Sequence, residues 1–194
     1  MFEFIKGNLA EKSPTHAVIE TQGVGYFLNI SLTTFSKLPP SGVCNLFTHL
    51  VVKEDAHTLF GFFSKEEREL FRQLISVSGV GAGTARMILS SMDPAEIIQA
   101  IIQGNVQLLT KVKGIGGKTA QRIVIDLKDK LSKDTKPFEK LDFGYNTSKD
   151  EALSGLIILG FQKSAAEKAL SRVLEKEGTA LQVEELIRHA LKIL

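Results

Sequence analysis

Cysteine is nearly absent: Cys44 is the only one in 194 residues. A lone thiol excludes a disulfide framework and a cysteine zinc site within one chain. Its expected role is that of a small buried apolar side chain. Long apolar runs are missing too, and none reaches the roughly 18 residues needed to cross a bilayer. Met1–Gly7 has no basic region followed by an apolar core and a cleavage site, so a soluble cytoplasmic protein with no membrane partner is expected. The histidines, His16, His49, His57 and His189, show no metal-type spacing with other ligands. His49 and His57 flank a turn and could face each other, but zinc is not expected there. Nothing resembles a Ser-His-Asp constellation or a paired-carboxylate site. No catalytic residue, metal or cofactor is therefore expected.

A hydrophobic content of 43% is that of a globular chain, and 194 residues suit one large domain or two to three small ones. A net charge of +2 says little about partners, but its distribution says more. Residues 65–131 carry ten basic side chains against seven acidic, a net of +3, whereas residues 1–63 carry four against five. The middle of the chain is the expected polyanion-facing part.

Residues 1–63 read as short strands: Phe2 and Phe4, Ala17–Glu20, Gly23–Ile30 behind two glycines, Val43–Lys53 and His57–Phe63. Leu38–Gly42 is a loop, and Glu54-Asp55-Ala56 joins the last two strands. Several short strands in so few residues suggest a small closed barrel such as an OB-fold. At Ser64 the pattern turns helical. Ser64 with Glu67 reads as a capping box before Leu70, Phe71, Leu74 and Ile75. Asp93-Pro94-Ala95-Glu96 starts a further helix with an apolar stripe of Ile97, Ile98, Ile101 and Ile102. Residues 132–148 lack helical period and are expected to be a flexible linker. Residues 149–194 divide into three short helices: one carrying Ala152, Leu153, Leu156, Ile157 and Leu159 and stopped by Gly160, one from Ser164 with Glu167 to Gly178, and one from Val183 to Leu194. The expected class is thus multi-domain, β then α.

The strongest signal is an internal repeat. Val77-Ser78-Gly79-Val80-Gly81-Ala82-Gly83-Thr84-Ala85 recurs as Val112-Lys113-Gly114-Ile115-Gly116-Gly117-Lys118-Thr119-Ala120, with Leu74 matching Leu109 and Ile88 matching Ile123. In each copy an apolar helix ends at the first glycine, and a Gly-apolar-Gly triplet turns too tightly for β-carbons. Val80 or Ile115 plugs the gap between the helices, and the next helix begins at once. Its free amides and the positive end of its dipole make an anion site. The second glycine would let a phosphate approach the backbone, with Lys118 and Arg122 adding charge one turn apart. Such contacts carry little sequence information, so binding should follow DNA shape. The bland reading is a pair of helical hairpins with glycine turns, which two aligned copies make much less attractive. Gly117-Lys118-Thr119 resembles the end of a Walker A loop, but the required earlier glycine is Val112 and a helix precedes it. Nucleotide binding is rejected.

The whole chain resembles the RuvA family, bacterial proteins that bind four-way (Holliday) DNA junctions. The resemblance rests on Gly23-Val24-Gly25-Tyr26, Thr33-Thr34-Phe35, Val51-Val52-Lys53-Glu54-Asp55-Ala56, Leu59-Phe60-Gly61-Phe62, both hairpins and Leu159-Gly160-Phe161. It implies an OB-fold domain over residues 1–63 and a tandem helix-hairpin-helix domain over residues 64–131. A linker over 132–148 and a small three-helix (UBA-like) domain over 149–194 would follow. It implies a homotetramer, alone or paired as an octamer, that holds the junction open and planar. The hexameric RuvB ATPase and the RuvC resolvase would be partners in branch migration, recombination and DNA repair. DNA contacts would come from Gly79, Val80, Gly81, Gly83, Thr84 and Arg86 in the first hairpin. Those of the second would be Gly114, Ile115, Gly116, Gly117, Lys118, Thr119 and Arg122. Glu54 and Asp55 would form an acidic pin at the junction centre, and Leu156, Leu159, Phe161 and Leu191 would contact the ATPase. Where the family often has lysine this chain has Gly83 and Gly117, so the first hairpin relies more on backbone amides, helped by Arg86. Two other functions remain in view: a helix-hairpin-helix scaffold for plain duplex, and a DNA glycosylase/lyase with Lys118 as Schiff-base residue. The second needs a catalytic Asp on a following loop, whereas Asp126 and Asp129 lie on the helix of Arg122.

Overall fold

The computed structural model describes residues 2–134, 148–178 and 181–194. The chain forms two compact units. Among the described residues the first holds five strands and six helices, the second three helices.

Strands β1 (Phe4–Lys12), β2 (His16–Thr21), β3 (Val24–Asn29), β4 (Val43–Val52) and β5 (His57–Phe62) close a barrel in the order β1-β2-β3-β5-β4. All neighbours are antiparallel except β3 and β5. A register shift between Leu9 and Glu11 bends β1, which lets one strand pair with both β2 and β4. At Gly7 a β-carbon would stand 2.1 Å from the Glu20 carbonyl oxygen, so only glycine fits where β1 crosses β2. Ile5, Ala17, Ile19, Leu28, Ile30 and Leu46 fill the interior, with Cys44 buried beside them as expected.

Between β3 and β4 lies helix α1 (Leu32–Lys37), capped by the Ser31 hydroxyl, which accepts from the Thr34 amide. Six residues are too few to show a helical period, so the sequence pattern does not reveal it.

Helices α2 (Lys65–Ile75), α3 (Ala82–Ser91), α4 (Pro94–Ile102), α5 (Val106–Thr110) and α6 (Gly117–Asp134) follow. They are not sealed off from the barrel. Phe60 and Phe62 of β5 are buried in one continuous core with Phe71, Leu74, Ile88 and Ile123 of the helices. Phe71 lies 5.1 Å and 4.9 Å, centroid to centroid, from Phe60 and Phe62. Apolar burial of this kind is the main force holding packed elements together.

Helix starts follow the expected chemistry only in part. At α4, Glu96 reaches back to accept from the Asp93 amide at 3.3 Å. At α2, the Ser64 hydroxyl accepts from the Glu67 amide at 3.2 Å, but the Glu67 carboxylate does not return to Ser64. It is buried instead and accepts from the hydroxyls of Ser31 (2.5 Å) and Thr34 (2.7 Å) and from the Phe63 amide (3.3 Å). Tertiary contact outcompetes the local cap.

Helix α6 continues through Asp134, so the first residues of the expected linker are helical, and Ser148 already belongs to α7. The expected linker residues in between, 135–147, lie outside the described residues. The second unit packs α7 (Ser148–Ile158), α8 (Lys163–Glu177) and α9 (Val183–Ala190) around Ala152, Leu156, Ala166, Leu170, Val173 and Leu186. Helix α8 starts one residue before Ser164, with Gln162 at the cap position and no side-chain cap bond, so the Ser164–Glu167 start is corrected. Gly160 and Gly178 close α7 and α8 with φ of 97° and 86°, as read from the sequence.

Candidate nucleic-acid interface

The two copies of the repeat fold alike, bond for bond. In the first, the Val77 amide donates to the Leu74 carbonyl (3.2 Å), Val80 to Val77 (3.0 Å) and Ala85 to Gly81 (2.9 Å). In the second, Val112 donates to Leu109 (3.2 Å), Ile115 to Val112 (3.1 Å) and Ala120 to Gly116 (2.9 Å). Val80 and Ile115 are buried plugs, 6% and 5% exposed. Their side chains belong to the protein core, so any outward contact they make uses the backbone.

The glycines of each turn have different reasons to be there. Gly79 and Gly114 have φ of 89° and 91°, a left-handed backbone that side chains resist. Gly81 caps α3 with φ −83° and ψ 167°, ordinary extended backbone, and Gly116 likewise has no positive φ. A β-carbon on either, or on Gly83 or Gly117, would meet nothing within 4 Å. Neither conformation nor internal packing requires glycine at Gly81 and Gly116. Both lie exposed at the start of a helix. The cap residue of α3 offers no side-chain acceptor, so the amides of Ala82, Gly83 and Thr84 face outward without a protein partner among the described residues. Opening a helix this way favours an anion.

The basic side chains sort into two groups. Arg68 is 4% exposed and spent on Glu3, with Nη1 donating to its carbonyl (3.0 Å) and Nη2 paired with its carboxylate (2.7 Å). The Arg68 guanidinium accordingly holds the Glu3 carboxyl below its usual range. Arg72 pairs with Glu69 at 2.7 Å. Arg86 Nη1 donates to the Thr15 carbonyl (3.2 Å) and the Asn29 side-chain oxygen (3.0 Å). It therefore ties α3 to the barrel. Arg122 Nη1 donates across to the carbonyl and hydroxyl of Ser78 in the first turn, at 3.2 and 3.3 Å. Lys118 is exposed at the head of α6, while Thr84 and Thr119 are half-buried. Two further exposed lysines, Lys111 and Lys113, stand in the second turn. They were not among the expected contacts, although the repeat alignment would have found them.

At the opposite end of strands β4 and β5, the Lys53 amide donates to the Ala56 carbonyl at 2.9 Å and closes a turn around Glu54 and Asp55. Both carboxylates are exposed. His57 pairs with Val52, and His49 with Phe60, so the two histidines do not face each other. Among the described residues no cluster of His, Cys, Asp and Glu could hold a metal. His49 is half-buried, edge-on to Phe71 at 5.6 Å, and Arg72 Nε donates to its Nδ1 at 3.4 Å. Burial first, then Arg72 and Arg68, push its pKa down.

In the second unit, Leu159 and Leu191 are 61% and 43% exposed, and Ile158, not singled out in the sequence, is 84% exposed. Leu156 is completely buried in the core between α7, α8 and α9, so its expected place on the outer patch is corrected. Phe161 is half-buried against the same core. No helix among the described residues is long and apolar enough to cross a membrane.

Comparison with known proteins covers both units. Residues 1–61 match the family model described as RuvA N terminal domain, residues 71–129 the SAM-like Helix-hairpin-helix tandem, and residues 148–194 the RuvA, C-terminal domain. A Christiangramia forsetii protein is 52% identical over 192 residues, covering 99% of both chains. One from Flavobacterium psychrophilum is 50% identical over 193 residues, again 99% of both. One from Cytophaga hutchinsonii is 44% identical over 198 aligned positions and all of both chains. Each is described as a Holliday junction branch migration complex subunit RuvA.

Proposed function

The chain belongs to the RuvA family, and on that premise we propose that it binds four-way DNA junctions by shape, holds them open and planar, and recruits the RuvB ATPase for branch migration. It acts as a homotetramer, alone or paired as an octamer, in the cytoplasm, and shares the junction with the RuvC resolvase. It is a non-catalytic subunit, and the ATP-driven step belongs to its partner.

One observation carries the DNA reading: Gly81 and Gly116 are glycine although neither backbone angle nor packing demands it. A requirement that arises from neither inside source points to close approach from outside. Each glycine opens a helix at the same point of the two repeats, where outward amides suit a phosphate oxygen. Two such sites grip backbone without reading bases. The exposed carboxylates of Glu54 and Asp55 repel phosphates brought near them. Repulsion there disfavours continuous duplex and is tolerated at the open centre of a junction. Exposed Leu159 and Leu191 offer the ATPase an apolar contact.

The test is a gel-shift competition between four-way and linear DNA, with the natural chain and with Gly81→Val and Gly116→Val. The natural chain should prefer the junction, and each valine should weaken binding while the circular dichroism spectrum is kept. Equal affinity for both DNAs would favour a plain duplex scaffold. Trapping of a covalent adduct on abasic DNA by borohydride would favour the lyase.

A further inference from the structure

The two hairpins share a backbone but not a charge. Between the positions flanking each turn and the middle of the following helix, the first copy (residues 76–87) carries one basic side chain, Arg86, and the second (residues 111–122) carries four: Lys111, Lys113, Lys118 and Arg122. Neither stretch contains an acid. Position by position, Ser76 answers Lys111, Ser78 answers Lys113, and Gly83 answers Lys118. All three lysines are exposed, and none takes part in an ion pair among the described residues.

The arginines deepen the contrast. Arg86 is turned to the barrel through Thr15 and Asn29. The cation hydrogen-bonded to the first turn, Arg122 on Ser78, is itself borne by the helix of the second hairpin. Nothing on the first hairpin's own turn offers a mobile positive charge.

Resting on the phosphate-binding reading above, we infer that the hairpins are unequal grips: the second carries the ionic part of DNA affinity, and the first contributes uncharged amide contacts. Each phosphate neutralised by a lysine releases counterions and adds about 0.9 to the slope of log affinity against log salt, whereas an amide contact adds little. The backbone segment on the second hairpin is therefore held by long-range attraction that salt removes. The segment on the first is held by short-range geometry that salt hardly touches. When a DNA arm slides past, the first grip must break and reform contacts one phosphate at a time, while the second retains attraction between phosphates. In this division the second hairpin keeps hold while the first lets go.

Exchanging the charges tests it in the full chain, with a four-way junction titrated across a salt series. Lys111→Ser, Lys113→Ser and Lys118→Ala together should flatten the slope by between about one and three units per chain. The opposite graft, Ser76→Lys, Ser78→Lys and Gly83→Lys, should steepen it by a similar amount. An unchanged slope in the first variant overturns the inference, and so does an unchanged slope in the graft. Lys113→Ser alone, in an exposed turn, gives the same reading should the triple variant fold poorly, with a change of about one unit expected. Gly116→Val separates this inference from the reading beneath it. If the valine removes binding while the lysine exchange leaves the slope intact, only the inequality of the grips fails. If the valine leaves binding untouched, the phosphate site itself fails.

Discussion

The hydroxyl of Thr34 donates a 2.7 Å hydrogen bond to the carboxylate of Glu67, joining α1 to α2 across 33 residues of sequence. Ser31 donates to the other carboxylate oxygen, and the Thr33 hydroxyl donates to the Leu89 carbonyl at 2.6 Å. The Leu32 amide donates to the Ser90 hydroxyl at 3.1 Å. Helix α1, which leaves the barrel, is thus tied to both helices of the first hairpin. Through α2 the same joint reaches β4 and β5, whose far turn bears Glu54 and Asp55. The turn of Glu54 and Asp55 and the first hairpin are parts of one compact unit.

Glu67→Ala should therefore be costly. It takes the acceptor from two buried hydroxyl protons, those of Ser31 and Thr34, and one of two acceptors from the Phe63 amide. Each buried group left without a partner costs about 1–3 kcal/mol. The expected loss is about 2–4 kcal/mol, read as a lower denaturant midpoint. Glu67→Gln, which keeps one acceptor oxygen, should lose less. A loss below about 0.5 kcal/mol for alanine, the level of an ordinary surface change, would mean the joint contributes nothing.

That joint also marks where the sequence stopped being legible. The hairpins could be read because each copy preserves a local spacing, and local spacing sets the turn. The barrel could be read because its strands are short and divided by turn residues. Glu67 could not, since its position suits a capping box and only the distant Ser31 and Thr34 redirect it. Arg86 reads as a phosphate ligand by position, yet Asn29 and Thr15 of the barrel claim it from far away in the sequence. Leu156 and Leu159 share one apolar stripe in the sequence, but the first faces α8 and α9 while the second lies beyond the end of α7.

Acid should destabilise the first unit through His49. Its folded pKa lies below its ordinary value of about 6.5, because burial and neighbouring arginines oppose its charge. The unfolded chain therefore binds the proton more readily, and stability falls as pH drops below about 6.5 and through the folded value. Above about 6.5 the effect vanishes. His49→Gln should flatten the dependence of the melting temperature on pH in that window. An equally steep fall in the variant would assign the acid sensitivity of that window to groups other than His49; Glu3, whose carboxyl Arg68 holds below its usual range, acts only at lower pH.

If Glu54 and Asp55 face the DNA, Glu54→Gln with Asp55→Asn should tighten binding to linear duplex and shrink the preference for junctions. Both residues are exposed in a turn closed by backbone alone, so stability should shift by less than about 0.5 kcal/mol. Competition of labelled junction by unlabelled duplex measures the change. Unaltered selectivity would leave the carboxylates as a plain solvated turn.

Leu156 and Leu159, so close in sequence, should respond in opposite ways to the same substitution. Leu156 is completely buried among Ala152, Leu170 and Leu186, so Leu156→Asp puts a carboxylate where no partner exists and should unfold the second unit. Leu159 is 61% exposed, so Leu159→Asp leaves the charge in water and the bundle intact. If Leu159 contacts the ATPase, that charge is desolvated only when the partner docks, and the cost appears there as lost stimulation of ATP hydrolysis. If the first unit carries junction binding, that binding should survive in both variants. Circular dichroism melts of each full-length variant, with ATPase stimulation measured beside them, distinguish the cases. A folded Leu159→Asp protein that still stimulates the motor normally would remove Leu159 from the contact and leave exposed Ile158 and Leu191 as the surface to test.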